Sequence, residues 1–317
     1  MNPQRGSRSD SDSSGIDLSE LQTTEVADPR YQRIDTLTVA ELATLMNEAD
    51  KSVPSAVHDA LDEIVPAIEA VSQRMRAGGR LFYVGAGTPG RIGVLDASEI
   101  PPTFSAEDKV TGIIAGGPDA IVNATEGAED DDAAGALAVD EAGIGPMDAV
   151  IGIAASGRTP FVVGAVRRAE ELGALGIGLS CNIRTPLSAV SQHPIEVIVG
   201  PEIISGSTRL KAGTAQKLVL NMFSTIAMIS LGKTYGNLMV DVRASNEKLR
   251  QRAVRIVRQI TGSDQDQARA ALEGSEYSVP LAVIMLSGGL DLDRARTLLD
   301  EFDGRLRGAL ESLNGTG

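Results

Sequence analysis

Between residues 81 and 199 short apolar runs alternate with longer stretches of helical pattern, and nothing else in the 317-residue chain limits its fold so tightly. The runs are Leu81–Val84, Val110–Ala115, Ala149–Ala155, Gly176–Cys181 and Glu196–Val199. Each is too short for a helix of useful length and apolar at nearly every position, the pattern of a strand covered on both faces. Strand, helix, strand at this spacing predicts an α/β fold: a three-layer αβα domain around a five-stranded parallel sheet. Such sheets bind ligands beyond the carboxyl ends of their strands.

The flanks read as helical. Residues 36–76 are expected to form two helices, one with Leu37, Leu42, Leu45 and Met46 on a single face, the other with Val57, Leu61, Ile64, Val65 and Ile68. A long helix over Lys211–Leu231 is apolar on most sides, as a buried helix is. Five shorter helices follow: Asn246–Ile260, Asp264–Leu272, Val279–Leu286, Asp291–Leu299 and Gly304–Leu313. The division expected is a polar disordered tail over 1–20, a helical segment over 21–70, the sheet domain over 71–235 and a small helical domain over 246–317.

Composition removes several functions. The net charge is -14, from 29 basic and 43 acidic residues, which argues against an extended nucleic-acid footprint. No apolar run approaches the ~20 residues of a membrane span, so no membrane partner is expected. Cys181 is the only cysteine and fits a reducing, cytoplasmic setting. The two histidines, His58 and His193, are too few for an ordinary zinc site or histidine triad. Aromatic residues are only 3%, so Ala, Gly, Val, Leu and Ile must fill the cores.

Two loops carry the chemistry. After the first strand stands Gly85-Ala86-Gly87-Thr88-Pro89-Gly90-Arg91, and after the third Ala155-Ser156-Gly157-Arg158-Thr159-Pro160. Each opens a helix with Thr then Pro, residues suited to the N-cap and first helical position. Helix amino ends present free N–H groups and a positive dipole end. Two at one sheet edge, with Arg91 and Arg158 close by, point to a phosphate monoester; the plainer reading is a pair of tight turns. The first loop also matches a dinucleotide fingerprint, but the second strand ends in Ala115-Gly116-Gly117 rather than the acidic residue a ribose needs.

Carboxylates are the proton carriers available. Glu99 is expected in the last turn of the helix after the first loop, which must stop before Pro101-Pro102. The negative dipole end disfavours an ionised carboxylate there by up to about 1 kcal/mol, and partial burial would favour the protonated form that a general acid needs. Glu126-Gly127-Ala128-Glu129-Asp130-Asp131-Asp132 reads either as a solvated helix start or as the source of a general base. Further on, Thr208, Arg209 and Lys211 cluster at the start of the long helix, as a second set of anion ligands or as simple capping.

GAGTPGRIGVLDASEIPPTF, IAGG, EGAEDD, GIAASGRTP, GLSCN, the GPE-to-KAGTAQK segment and NLMVDV together resemble the N-acetylmuramic acid 6-phosphate etherases, from about Thr24 to the C-terminal helices. These proteins carry a sugar isomerase (SIS) domain. The resemblance implies a phosphorylated amino sugar as substrate, recycling of cell-wall sugars, a homodimer, and no metal or redox cofactor. It assigns Glu99 as the acid, Glu129 as the second active-site residue, and Gly87, Thr88, Ser156, Arg158, Thr159, Thr208 and Arg209 as sugar-phosphate contacts. The implied reaction removes D-lactate from sugar C3 by elimination and adds water back. Pro89 stands where the family usually has Ser, Ile100 where Cys is usual, and Asp28 where Asn is usual. The glucokinase regulatory proteins share these phosphosugar loops without being lyases, so a non-catalytic phosphosugar sensor is one alternative and a SIS-type isomerase another.

Overall fold

The computed structural model describes residues 23–123, 125–241 and 246–315; the tail expected over residues 1–20 lies outside them. Five parallel strands form the sheet: β1 (Leu81–Gly85), β2 (Val110–Ile114), β3 (Ala149–Ile153), β4 (Leu175–Ser180) and β5 (His193–Glu196). Their spatial order is β2-β1-β3-β4-β5. The chain leaves β1 for one edge and returns to its other side with β3, so the strand order reverses between β1 and β3. That reversal opens a crevice at the carboxyl edge.

Alternate residues of each strand serve opposite cores. Leu81, Tyr83, Ile151, Ile153, Ile177 and Leu179 belong to one, and Phe82, Val84, Val150 and Ala154 to the other. The first core is completed by α2 (Val53–Asp59), α3 (Leu61–Arg76), the last residues of α4 (Gly87–Ser98) and α9 (Lys211–Ser230). α6 (Asp132–Glu141), α7 (Pro160–Glu171) and the short α8 (Pro186–Ala189) complete the second. A third, separate core lies among α10 (Glu247–Thr261), α11 (Gln265–Gly274), α12 (Val279–Gly288), α13 (Leu292–Glu301) and α14 (Leu306–Gly315). A two-stranded ribbon, β6 (Thr234–Tyr235) with β7 (Leu238–Met239), precedes this helical unit. The three-layer domain with a helical C-terminal unit is as the sequence predicts.

Three expectations are corrected. The pair of helices over 36–76 is a trio, α1 (Val39–Asp50), α2 and α3, because the chain turns at Lys51-Ser52 and again at Ala60. The turn at Ala60 rotates the apolar stripe: Val57, Ile64 and Ile68 are buried while Val65 is 48% exposed. The last strand lies over His193–Glu196 rather than Glu196–Val199. Its partner β4 ends at Ser180, whose carbonyl takes the last ladder bond from Val197 N–H at 2.9 Å, so the buried Val199 lies beyond the paired strand. Finally, α4 does stop before the two prolines, but helix resumes at once as α5 (Ile100–Phe104), with Pro101 and Pro102 in its first turn, where their missing N–H groups cost nothing.

Among the described residues no side chain of α1 is fully buried, and Leu42 and Leu45 are only half-buried, although Thr38 and Glu41 cap the helix reciprocally. A lone 12-residue helix is marginal in water.

Candidate active site

The β1 and β3 strands are direct neighbours, with Gly85 opposite Ile153. The loops that follow them therefore emerge side by side at the carboxyl edge. In the first loop, backbone approach is so close that a Cβ on Gly90 would lie 2.8 Å from the Gly85 carbonyl oxygen and 2.7 Å from Ile114 Cγ1. Gly87 takes φ +54, which lets the chain enter α4 directly from the strand. Thr88 is consequently the second residue of α4 and Pro89 the third, with Ala86 as N-cap. The expected Thr cap is thus displaced by two residues, and the Thr88 hydroxyl stands inside the first turn.

The second loop matches expectation more closely. Thr159 is the N-cap of α7 with Pro160 at the first position, and its side chain makes no capping bond. Gly157 has φ +67, and a Cβ there would fall 2.4 Å from Thr185 Oγ1. Ser156 Oγ accepts from the Arg158 backbone N–H at 3.2 Å. Ser156 and Thr159 are half-buried and Arg158 is exposed.

A cleft of about 240 Å3 lies beside the first loop, lined by Gly87, Arg91, Thr125, Glu126 and Glu129 among others. The acidic run divides here by role. Asp131 caps α6, accepting from Ala134 N–H at 2.9 Å, and Asp132 pairs with Arg167 at 3.3 Å. Glu126 and Glu129 precede that helix and face the cleft instead. Arg91 donates from Nε to the Ile121 carbonyl at 2.9 Å and from Nη2 to the Asn123 carbonyl at 3.0 Å. It clamps the segment that delivers Thr125 and Glu129 to the cleft, a role its place in the loop did not reveal.

Thr208 and Arg209 approach from the far side. A Cβ on Gly213 of α9 would be 3.6 Å from Thr88 Cγ2 and 3.5 Å from the Thr208 carbonyl oxygen, so these two segments converge. The amino end of α9 itself is already occupied: Glu202, 1% exposed, accepts from Lys211 N–H and Ala212 N–H, each at 3.0 Å. Lys211 turns inward, its Nζ donating to the Val199 carbonyl at 2.7 Å, and burial lowers its pKa. Capping is therefore what Lys211 and this helix start do. The sequence reading passed over Glu202, whose partners lie nine and ten residues ahead.

Glu99 is elsewhere. It follows the last residue of α4, and the 12 residues of that helix carry it about 18 Å from Gly87 along the axis. Because α4 runs antiparallel to the strands, this is the amino edge of the sheet. Glu99 is also the N-cap of α5, so the field there is not the one-sided negative end that α4 alone implies. Its side chain is exposed, without the burial anticipated for a protonated acid. One turn earlier Leu95 is 55% exposed. One chain thus brings together Gly87, Thr88, Arg91, Ser156, Arg158, Thr159, Thr208, Arg209 and Glu129 at one edge, and leaves Glu99 at the other.

Among the described residues no group of three or more His, Cys, Asp or Glu side chains is arranged to hold a metal ion. No helix among them is long and apolar enough to cross a membrane.

Compared with known proteins, the chain is 55% identical over 294 residues to the N-acetylmuramic acid 6-phosphate etherase of Streptomyces avermitilis, covering 92% of this chain and 94% of that one. It is 54% identical over 282 residues to the protein of the same name from Rubrobacter xylanophilus, covering 88% and 93%. With that of Mycolicibacterium smegmatis it shares 48% over 296 residues, covering 93% and 99%. The family model of the glucokinase regulatory protein N-terminal SIS domain matches residues 63–170, and that of the C-terminal lid domain of glucokinase regulatory protein matches residues 236–279.

Proposed function

The chain belongs to the N-acetylmuramic acid 6-phosphate etherases, and from that premise we propose that it cleaves the D-lactyl ether of this phosphorylated amino sugar with Glu129 and Glu99, each drawn from a different copy of the chain. The observation that carries the reading is the meeting of two helix amino ends at the β1–β3 reversal, with Glu129 on the rim of the adjoining cleft.

The C6 phosphate binds at the first turns of α4 and α7, through Thr88, Ser156 and Thr159, with Arg158 and Arg209 supplying charge. This grips a part of the substrate that does not react, so its binding energy serves to orient C2 and C3. In the ring-opened sugar the C2 hydrogen is α to the C1 aldehyde. Glu129 takes that proton, and the electron pair forms an enolate. The enolate expels lactate from C3; the C3–O bond breaks, and Glu99 protonates the departing oxygen. Water then adds at C3 of the unsaturated aldehyde while C2 regains a proton, giving N-acetylglucosamine 6-phosphate and D-lactate.

Two observations support a homodimer. The length of α4 puts Glu99 out of reach of the phosphate loops of its own chain, with exposed Leu95 beside it. In addition, α1 has an apolar face that the described residues cover only in part. A two-fold assembly gives each site a Glu99 from the partner. Retention of both glutamates favours a lyase over a phosphosugar sensor, which needs phosphate donors but no acid–base pair. The lone buried Cys181 suits a cytoplasmic setting.

Mixing two inactive variants tests this. Glu99→Gln and Glu129→Gln are each expected to release little D-lactate. Co-expressed in equal amounts, they form mixed dimers that hold one intact site of two, returning about a quarter of wild-type activity. No recovery in confirmed mixed dimers would mean that the glutamates act within one chain. No lactate from wild type despite sugar-phosphate binding would mean a sensor.

A further inference from the structure

Asn182 directly follows Cys181 beyond the end of β4 and is 3% exposed. Its amide is saturated. Nδ2 donates to the Ala155 carbonyl at 3.0 Å and to Thr24 Oγ1 at 3.1 Å. Oδ1 accepts from Thr23 Oγ1 at 2.9 Å and from Thr24 N–H at 3.4 Å. Turning the amide over would set its oxygen against the Ala155 carbonyl and an N–H against the Thr24 N–H, so only this orientation satisfies all four partners.

Ala155 immediately precedes Ser156 in the second phosphate loop. On the other side, the Thr24 carbonyl accepts from Gly206 N–H at 3.0 Å, and the Glu25 carbonyl accepts from Ser205 Oγ at 2.7 Å. Residues 23–25 thus form a strap across the carboxyl edge, running from the end of β4 to the segment that carries Thr208 and Arg209. The strap has almost no apolar anchor: Thr24 is its one buried residue, and Glu25 is exposed. Polar contacts, with Asn182 at their hub, are what hold it.

We propose that Asn182 is a positioning residue, which acts through the Thr23–Glu25 strap to fix the Thr208–Arg209 contacts relative to the Ser156–Thr159 loop, and so sets affinity for the phosphosugar. The proposal rests on the site reading above. Asn182 touches no reacting atom in this scheme. Its loss loosens a binding element that serves ground state and transition state alike, so the effect falls on KM rather than kcat.

Asn182→Leu and Thr24→Val test it by lactate release from N-acetylmuramic acid 6-phosphate, together with calorimetric binding of N-acetylglucosamine 6-phosphate. Asn182→Leu removes four hydrogen bonds and Thr24→Val the one to Thr24 Oγ1; this predicts a rise in KM and Kd of about tenfold or more for the first and about fivefold for the second, with kcat within about twofold. Thr24→Ser, which keeps the oxygen, should restore wild-type values. If Asn182→Leu fails to fold, Thr24→Val decides, since it leaves the Asn182–Ala155 bond in place. Unchanged KM and Kd, with only kcat or the melting temperature lowered, overturn the proposal and leave the etherase reading standing. Wild-type protein that neither cleaves nor binds these sugars overturns both.

Discussion

Pro89 occupies the third position of α4, where a backbone N–H has no partner within the helix in any case. The fold therefore loses nothing by it, and the turn proposed above to bind phosphate lacks one N–H and the hydroxyl that Ser would supply. Each hydrogen bond to a charged group contributes roughly 1.5–3 kcal/mol. Pro89→Ser is accordingly expected to tighten phosphosugar binding by about tenfold or more, with little change in kcat. Calorimetry with N-acetylglucosamine 6-phosphate reads this directly, and equal affinity would show that a neighbouring group already fills the place of Ser. Arg91 and Lys211 carry a related lesson. Both read in the sequence as cations close to an anion site, yet Arg91 holds the carbonyls of Ile121 and Asn123, and Lys211 holds that of Val199. A cation beside a glycine loop marks a local need for donors, and only the three-dimensional neighbourhood decides whether backbone or ligand meets it.

At the level of elements, the sheet edge opposite the two glycine loops has its own fastening. Asp148, 5% exposed just before β3, accepts from the Arg80 backbone N–H and Nη2, each at 2.8 Å, and from Gly145 N–H at 3.0 Å. Burial pushes its pKa upward, but these donors and the Arg80 charge prevail and hold it below the usual aspartate value. A carboxyl whose folded pKa is lowered stabilises the protein above its unfolded pKa, and that contribution disappears as pH falls through the folded value. Asp148→Asn should therefore lower unfolding free energy by about 2 kcal/mol near neutral pH. The gap from wild type should narrow in acid, as pH falls from the usual aspartate value through the lowered folded one. Urea melts of both proteins, one pair near neutrality and one in acid, check the sign; a gap that widens in acid would mean that Asp148 is not held as a carboxylate. The strands that this contact aligns were legible from their apolar runs, apart from β5, because burial follows composition while pairing needs a partner strand of matching length.

For the whole molecule, the question is what covers α1. Its apolar residues include Val39, 84% exposed, and Met46, 40% exposed, with Leu42 and Leu45 half-buried. In the homodimer proposed above, this face and the surface around Leu95 and Glu99 are where the second copy packs. Leu45→Asp is expected to convert the assembly to monomers by analytical ultracentrifugation. Lactate release should fall at least tenfold at nanomolar protein, with recovery at high concentration, since a shared site follows mass action. A monomeric variant with full activity would refute the shared site.

The chain sequence by itself determined the layer architecture, with its helical C-terminal region, and the two glycine loops that open α4 and α7. Each of these follows from local signals: period of apolarity, glycine where backbones touch, Thr-Pro at a helix start. It also carried the resemblance that named both glutamates. The tertiary structure alone decided the strand order that sets the two loops side by side, the separation of the acidic run into α6 capping by Asp131 and cleft lining by Glu129, and the closure of the α9 amino end by Glu202. It also decided the distance of Glu99 from the loops of its own chain. These depend on contacts between residues far apart in sequence, or on the direction in which a helix runs across a sheet, and neither has a local signature.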